Sequence, residues 1–344
     1  MSTTNAAVPP ESESEHFSPY RSDGKLVSHA PEILDLYIRH RLTQPLAVRL
    51  RLRRNRSNPA HRQGHRPRAR QYAHRFPTLY PRLTPPAHGA ACVYACSTLP
   101  SDNTTALAEE VGSTHPNTKI IGYPYGLKEE DTLTLIDDVL NSWGRLDVWV
   151  TSSGLLGPAS ITSTTPADLY KTFEANSMVP FFALKYGPPA MSKTTPKGNY
   201  PNAAPKEHAY GSIIVVSSVA STYGGCWGPA FTMSSHAALG VVRSGVATLK
   251  GTGVRINAIS PGQIDIGVSL AGFDMRGLSS QLPPSDLQSD KVKKDIIGLE
   301  RAGSTTEVAR VAGFLASGFS SYITGTNMVV DGGASVMNPL AVPL

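Results

Sequence analysis

From Gly89 onward, short apolar runs alternate with stretches in which apolar residues return every third or fourth position. A short apolar run between turn residues is the pattern of a strand buried on both faces, and a period near 3.6 is that of an amphipathic helix. The clearest run is Gly211-Ser-Ile-Ile-Val-Val216, which ends on the hydroxyls of Ser217 and Ser218. A parallel strand ending there would open onto a ligand crevice. A Gly/Pro-rich loop with Gly224, Gly225, Gly228 and Pro229 follows, and then a helical stretch from Phe231 through Ala237, Ala238 and Leu239.

The same reading predicts strands at Gly89–Cys96, Lys119–Gly122, Leu146–Val150, Val254–Ile259 and near Met328. Between them it predicts helices over Leu107–Val111, Glu129–Trp143, Ala167–Met178, Phe181–Tyr186 and Val308–Ala316. In the second of these, Leu133, Ile136, Leu140 and Trp143 form the expected apolar stripe. Ser304-Thr-Thr-Glu307 is a capping box in front of the last. Pro188 to Tyr210 reads as a Pro- and Lys-rich loop. Strands alternating with helices at this spacing specify an α/β fold with a doubly wound parallel sheet, Rossmann-like and contained in one domain over residues 88–344.

The first 87 residues read differently, as a poorly structured N-terminal extension. Residues 1–24 are polar, and Glu32 to Leu42 holds enough apolar positions for one short helix, ended by Pro45. Thirteen arginines lie between Arg39 and Arg82, and no Asp or Glu occurs between Asp35 and Asp102. The formal charge of +6 comes from this segment: without those thirteen, 19 basic residues face 26 acidic ones. The body is therefore mildly acidic, which speaks against nucleic acid as the partner of the folded part. No apolar run approaches the ~18 residues that span a bilayer, and Met1 to Phe17 has no apolar core of a secretory signal. Three cysteines, Cys92, Cys96 and Cys226, give neither a disulfide framework nor metal-ligand spacing, so a reducing, cytoplasmic setting is expected.

With these elements in order, residues 88–335 resemble the short-chain dehydrogenase/reductase family. Gly89-Ala resembles the entry to its second strand. Thr151-Ser152-Ser153-Gly154 stands where the family has Asn-Asn-Ala-Gly, Asn176 matches its helix asparagine, and Ser218 its catalytic serine. Ser260-Pro261-Gly262 matches its Pro-Gly turn, and Leu299-Glu-Arg-Ala-Gly through Val330-Asp-Gly-Gly333 its C-terminal third. The resemblance implies an NAD(P)-dependent oxidoreductase of a small carbonyl or alcohol, assembled as a homo-oligomer. Ser152, Ser153, Gly154, Pro261, Gly262 and Ile264 would then meet the cofactor. Cys96-Ser97, at the end of the second strand, offers no carboxylate to a ribose 2′-hydroxyl, which favours NADP over NAD. Phe273, Met275, Leu278 and Leu282, in the loop from Gln263 to Gly298, suggest an apolar substrate.

The departures from the family are as informative. Its tyrosine position holds Phe231 and its lysine position, four residues on, holds Ser235. Position is kept on one helix face while the acid–base chemistry is not. His236 could titrate near neutrality but lies off that face. The family's first strand and its Thr-Gly-x-x-x-Gly-x-Gly turn, which cradles the pyrophosphate, belong some twenty to thirty residues before Gly89. There Gly64 is the only glycine between Gly24 and Gly89. An inactive scaffold or regulatory subunit is accordingly the alternative to an enzyme. The arginine-rich segment has three readings: a phosphate-binding arm, a solvated tail, or sequence foreign to the fold, such as a retained intron or shifted frame. The third is preferred, because family-like text resumes abruptly at His88 and the lost element is a central strand.

Limited trypsin digestion is expected to cut first between Arg49 and Arg82 and to leave a fragment beginning near His88. Protection of those arginines in the free protein would show that they are folded.

Overall fold

The computed structural model describes residues 90–97, 104–114, 116, 118–152, 154–194, 206, 208–224, 228–265 and 289–337. The expectations for the N-terminal extension, for Ser153, for Cys226 and for most of the loop after Gln263 lie outside these residues. So do the arginine-rich segment and the four apolar residues of that loop.

Six strands and their helices carry the architecture among the described residues. Strand β1 (Cys92–Ser97) is followed by α1 (Thr104–Thr114), β2 (Lys119–Pro124), α2 (Glu129–Trp143) and β3 (Val148–Thr151). Next come α3 (Pro166–Phe173), a π-helical turn (Glu174–Met178), α4 (Val179–Met191) and β4 (Gly211–Val216). A 3-10 turn (Val219–Ser221), α5 (Pro229–Thr248), β5 (Val254–Pro261) and the two-residue β6 (Ile264–Asp265) follow. The chain then forms α6 (Asp290–Ile296), β7 (Gly303–Ser304), α7 (Thr305–Ala316), β8 (Asn327–Val330) and α8 (Ala334–Met337).

β4 is the strand on which the sheet is built. It pairs in parallel with β3 on one edge and β5 on the other, in a four-stranded order β3-β4-β5-β8. All six of its residues are buried, as an uncharged β-branched run on both faces requires. Because side chains alternate, Ile213 and Val215 point into one hydrophobic cluster and Ile214 and Val216 into the other. The first cluster contains α2, α4 and α5, with Leu135, Leu184 and Leu239; the second contains α1 and α7, with Val111 and Leu315. Each fully buried aliphatic side chain in these layers contributes about 1.5–3 kcal/mol.

The doubly wound parallel sheet is as the sequence specifies, with three local corrections. Leu133 does not face the core: it is 42% exposed, and the buried stripe of α2 is Thr132, Leu135, Ile136, Val139 and Leu140. Thr132 is admitted there because its hydroxyl is hydrogen-bonded to Tyr125 Oη at 2.6 Å. Second, α4 continues through Pro188 and Pro189 to Met191 instead of stopping at Tyr186. Pro188 lies in the final turns, and the residue before it is Gly187, which has no Cβ to clash with the ring. Third, the Lys-rich loop before β4 is not wholly solvated. Lys206 is 5% exposed, and its Nζ donates to Leu146 O (2.8 Å), Met191 O (2.8 Å) and Tyr210 O (3.0 Å). It also pairs with Asp147 Oδ1 at 2.9 Å. Arg145 grips the same carboxylate through Nε and Nη2. Burial would push the Asp147 carboxyl up, but Arg145 and Lys206 hold it below the usual carboxylate range. This clasp pins Lys206 and Tyr210 beside the amino ends of β3 and β4, the end opposite the crevice.

Lys206→Met would leave three carbonyls and part of a carboxylate unsatisfied. It is expected to cost about 3 kcal/mol and to lower the unfolding midpoint by roughly 6–12 °C. Calorimetry of the variant checks this; a loss under about 1 kcal/mol would mean the ammonium behaves as a surface charge.

Candidate functional site

The carboxyl ends of β3, β4 and β5 open on one side of the sheet, which is where an open α/β sheet takes its ligand. Three loops and one helix bring the candidate residues there. β3 ends at Thr151 and continues through Ser152 to Gly154 and Leu155. β4 continues to Ser217 and Ser218, β5 ends in Pro261-Gly262, and α5 starts at Pro229.

Asn176 lies on the π-helical turn, a distortion common at functional positions. Its Oδ1 accepts from Leu155 N at 2.7 Å, while Nδ2 donates to Leu155 O at 2.9 Å and to Ser234 Oγ at 2.8 Å. The Leu155 N–H can only donate and its C=O only accept, so the amide orientation is fixed by chemistry. Both amide hydrogens are thereby committed to the protein. Asn176 thus joins the loop after β3 to α5. Ser234, which sequence reasoning missed, is wholly buried. Its hydroxyl donates to Phe231 O at 3.1 Å, and Ser177 Oγ donates to Ser234 O at 2.9 Å. The only available signal was its place one residue before Ser235 in a Ser-Ser pair.

Phe231 and Ser235 do share a face of α5, yet their surroundings differ. Phe231 is half-buried, whereas Ser235 is 2% exposed and belongs to the core. His236 is exposed on a different side, with Nδ1 at 2.9 Å from Thr232 O. The start of α5 is held against the loop after β3 at Gly228. A Cβ on Gly228 would stand 2.1 Å from Pro158 O, so no other residue fits without moving that backbone.

Ser218 caps the 3-10 turn, with Oγ accepting from Ala220 N at 3.2 Å. Its own hydrogen still has a bond to give. Behind it lies a hydroxyl network that the sequence reading also missed. Ser221 Oγ lies 3.0 Å from Ser260 Oγ, and Ser260 Oγ donates to Asn327 Oδ1 at 2.6 Å. Asn327 Nδ2 in turn donates to Thr222 Oγ1 at 3.0 Å. This network fastens the loop after β4 to the ends of β5 and β8. Gly262 is a packing glycine, since a Cβ there would come within 2.5 Å of Asp331 Cβ. Burial would raise the Asp331 carboxyl, but the Ser335 hydroxyl and the N–H groups of Ser335 and Gly333 hold it below its ordinary range. Ile264 sits in β6, paired with Gly303, and Ser152 is buried at the end of β3. Gly154 has open space where a Cβ would be. The structure thus gathers Asn176, Ser218, Phe231, Ser152, Gly154, Pro261 and Gly262 at one end of the sheet, and sends Ser235 into the core.

A family model described as enoyl-(acyl carrier protein) reductase matches residues 87–335, the whole of the sheet and its helices. This chain belongs to the short-chain dehydrogenase/reductase family. Among its relatives is the (21S)-21-acetoxyl-apo-melianone synthase SDR of Melia azedarach, 29% identical over 213 residues, or 61% of this chain and 70% of the relative. The L-rhamnose-1-dehydrogenase of Scheffersomyces stipitis is 29% identical over 245 residues, or 69% and 84%. The crystal structure of levodione reductase superposes with a TM-score of 0.58 at 22% identity, covering 71% of this chain and 87% of that one. Membership implies oxidoreductase ancestry, a small-molecule substrate and an NAD(P) cofactor.

The described residues do not by themselves fit the dinucleotide. In a doubly wound sheet the pyrophosphate rests on the turn after an inner strand and the helix N-terminus that follows it. No such strand lies between β1 and β3 among the described residues, and no lysine or tyrosine occupies the Phe231/Ser235 face. No group of three His, Cys, Asp or Glu side chains among them could hold a metal.

Ser234→Ala removes the acceptor of one Asn176 amide hydrogen and is expected to cost about 1–3 kcal/mol in denaturant unfolding. Asn176→Asp should cost more, because a carboxylate oxygen would then face Leu155 O. A neutral Ser234→Ala would show that the amide is satisfied elsewhere.

Proposed function

We propose that this chain is a non-catalytic member of its family, an NAD(P)-dependent oxidoreductase by descent for a small apolar carbonyl or alcohol, that no longer transfers hydride. The observation that carries the reading is the Phe231/Ser235 face of α5. Hydride transfer to a carbonyl leaves an oxyanion that must be protonated in the same site, and the reverse reaction needs a base for the hydroxyl. Phe231 has no proton to give. Ser235 is buried, and its neutral hydroxyl cannot lower the pKa of a neighbour as a cation would. Asn176, with both amide hydrogens bound to Leu155 and Ser234, is a tie rather than an anchor for a relay water. Ser218 keeps a hydrogen to donate but has no partner in proton transfer.

What persists is the frame, and a scaffold or regulatory role uses the frame. Met178, Phe181 and Met233 leave exposed apolar surface along the π-helical turn, α4 and α5, which supports a homo-oligomer built on these helices. Among the described residues no helix is long and apolar enough to cross a membrane. A cytoplasmic setting accords with this and with the thiol of Cys92, pushed up to about 12 by burial. If a nucleotide is retained, Cys96-Ser97 at the end of β1, which offer no carboxylate, favour NADP over NAD. The mildly acidic body makes nucleic acid an improbable partner of the sheet.

The purified chain is expected to show no turnover of ketones or alcohols with NADH or NADPH, at least a hundredfold below an ordinary enzyme at ~10 per second. Phe231→Tyr with Ser235→Lys should not restore it, because the pyrophosphate turn is still missing. Turnover by the double variant would locate a complete cofactor site in this chain and overturn the reading.

A further inference from the structure

Two exposed stripes on different helices carry the same spacing with opposite charge. On α2, Glu130, Leu133 and Asp137 stand at positions i, i+3 and i+7, and all three are exposed. On α5, Arg243 and Val246 repeat that spacing with Lys250, which lies in the turn closing the helix, and these are exposed too. With 3.6 residues to a turn, each triplet shares one face, its two charges about 10 Å apart along the helix. Leu133 and Val246, the aliphatic members, are 42% and 37% exposed.

These charges are not used within the chain. Glu129 pairs with Lys185 at 2.9 Å, Asp131 accepts from Lys128 N at 3.0 Å, and Asp138 accepts from Tyr123 Oη at 2.7 Å. Among the described residues, Glu130 and Asp137 are the carboxylates of α2 left without an ion pair, and Arg243 and Lys250 have none either. No basic residue lies in α2, and no Asp or Glu occurs from Pro229 to Pro261. α4 packs against both α2 and α5, and no ion pair joins the two stripes within one chain. Helix dipoles account for Glu130 in a first turn and Lys250 beyond a last one, but their effect ends there. They give no reason for Asp137 or Arg243, nor for the aliphatic side chain held in water within each stripe.

We propose that the Arg243–Val246–Lys250 stripe docks the Glu130–Leu133–Asp137 stripe of a second copy of this chain. Charge complementarity at matched spacing names that occupant. Both triplets have the same hand, since each sets its aliphatic residue at i+3 between charges at i and i+7. Packed antiparallel, they bring Glu130 to Lys250, Asp137 to Arg243 and Leu133 over Val246. Packed parallel, they would leave the aliphatic groups on opposite sides of the contact. The rim is aromatic: a Cβ on Gly325 would stand 2.6 Å from Val246 Cγ2, and the same loop presents Tyr322, wholly exposed. Each copy offers both stripes on different helices, so the contact is heterologous and joins copies head to tail. Exposed ion pairs are weak singly, so the association is reversible and sensitive to salt. It uses a side of α5 other than that of Met233, and it does not rest on the loss of hydride transfer.

Sedimentation velocity of the full-length chain over a concentration series is the test. At low salt the mean sedimentation coefficient is expected to climb with concentration. In about 1 M salt, where charges are screened beyond about 3 Å, that climb should be lost. Arg243→Glu with Lys250→Glu should abolish it, as should Glu130→Lys with Asp137→Lys. Combining all four substitutions in one chain, or mixing the two double variants, should restore it, because opposite charges then face each other again. Should a reversal fail to fold, Arg243→Gln with Lys250→Gln takes its place and should also abolish the climb. A closed oligomer on the Met178, Phe181 and Met233 face would persist in every variant, which separates the two contacts. No climb at low salt, or a climb that both reversals leave unchanged, would overturn the proposal. So would a loss that the four substitutions together do not recover, which would give the acidic stripe another basic partner, such as the chain's own arginine-rich segment.

Discussion

A buried parallel strand has to satisfy two demands at once: hydrogen bonds along both edges and apolar contacts on both faces. β4 meets all four, with β3 and β5 at its edges and a hydrophobic cluster on each side. The crossover helices must then lie on both faces, because every neighbour of a parallel strand arrives from the far end of the sheet. The same demand places Ser217 and Ser218 at the carboxyl end, beyond the last paired residue, where backbone and hydroxyl groups are released from the ladder. A site at that end follows from the pairing and does not depend on which chemistry the site performs.

That separation lets the frame hold its shape independently of the reaction at the site. Asn176, Ser177 and Ser234 lock the π-helical turn to α5, and Ser221, Ser260, Asn327 and Thr222 lock the loop after β4 to two other strands. Every one of these bonds is between neutral groups, so the crevice wall needs no titrating residue to hold its shape. Phe231 sits within this wall and Ser235 is buried behind it, and neither breaks any of its bonds. Replacing an acid–base pair by an aromatic and a buried hydroxyl alters what the site can transfer and leaves the scaffold intact.

How much of this the sequence disclosed depends on whether a signal was local. The buried run of β4, the Ser304–Glu307 capping box and the ends of α2 depend on residues adjacent in the chain, and they lie where the pattern placed them. Lys206 did not disclose itself, because a lysine in a Pro-rich loop looks solvated until three carbonyls and Asp147 surround it. Leu133 misled for the opposite reason: its spacing suited the stripe, but Leu135 and Val139 fix the helix rotation and turn it outward. Ser234 was invisible because its partner, Asn176, is 58 positions away. Position-matching named Asn176, Ser218, Phe231 and Ser235 and could not show that Ser235 is buried.

In a doubly wound fold the strand between β1 and β3 has two duties, pairing its neighbours and presenting the turn that receives the pyrophosphate. Removing it therefore strikes stability and cofactor binding by one change, whereas replacing Phe231 or Ser235 strikes chemistry alone. The edges it would leave differ in consequence. Val148 and Val150 belong to a strand still anchored by β4, so that edge keeps its geometry. β1 depends on β2 and on side-chain packing through Ala95 and Cys96. Among the described residues β1 is paired with β2 alone, whereas β3 is anchored by the central β4.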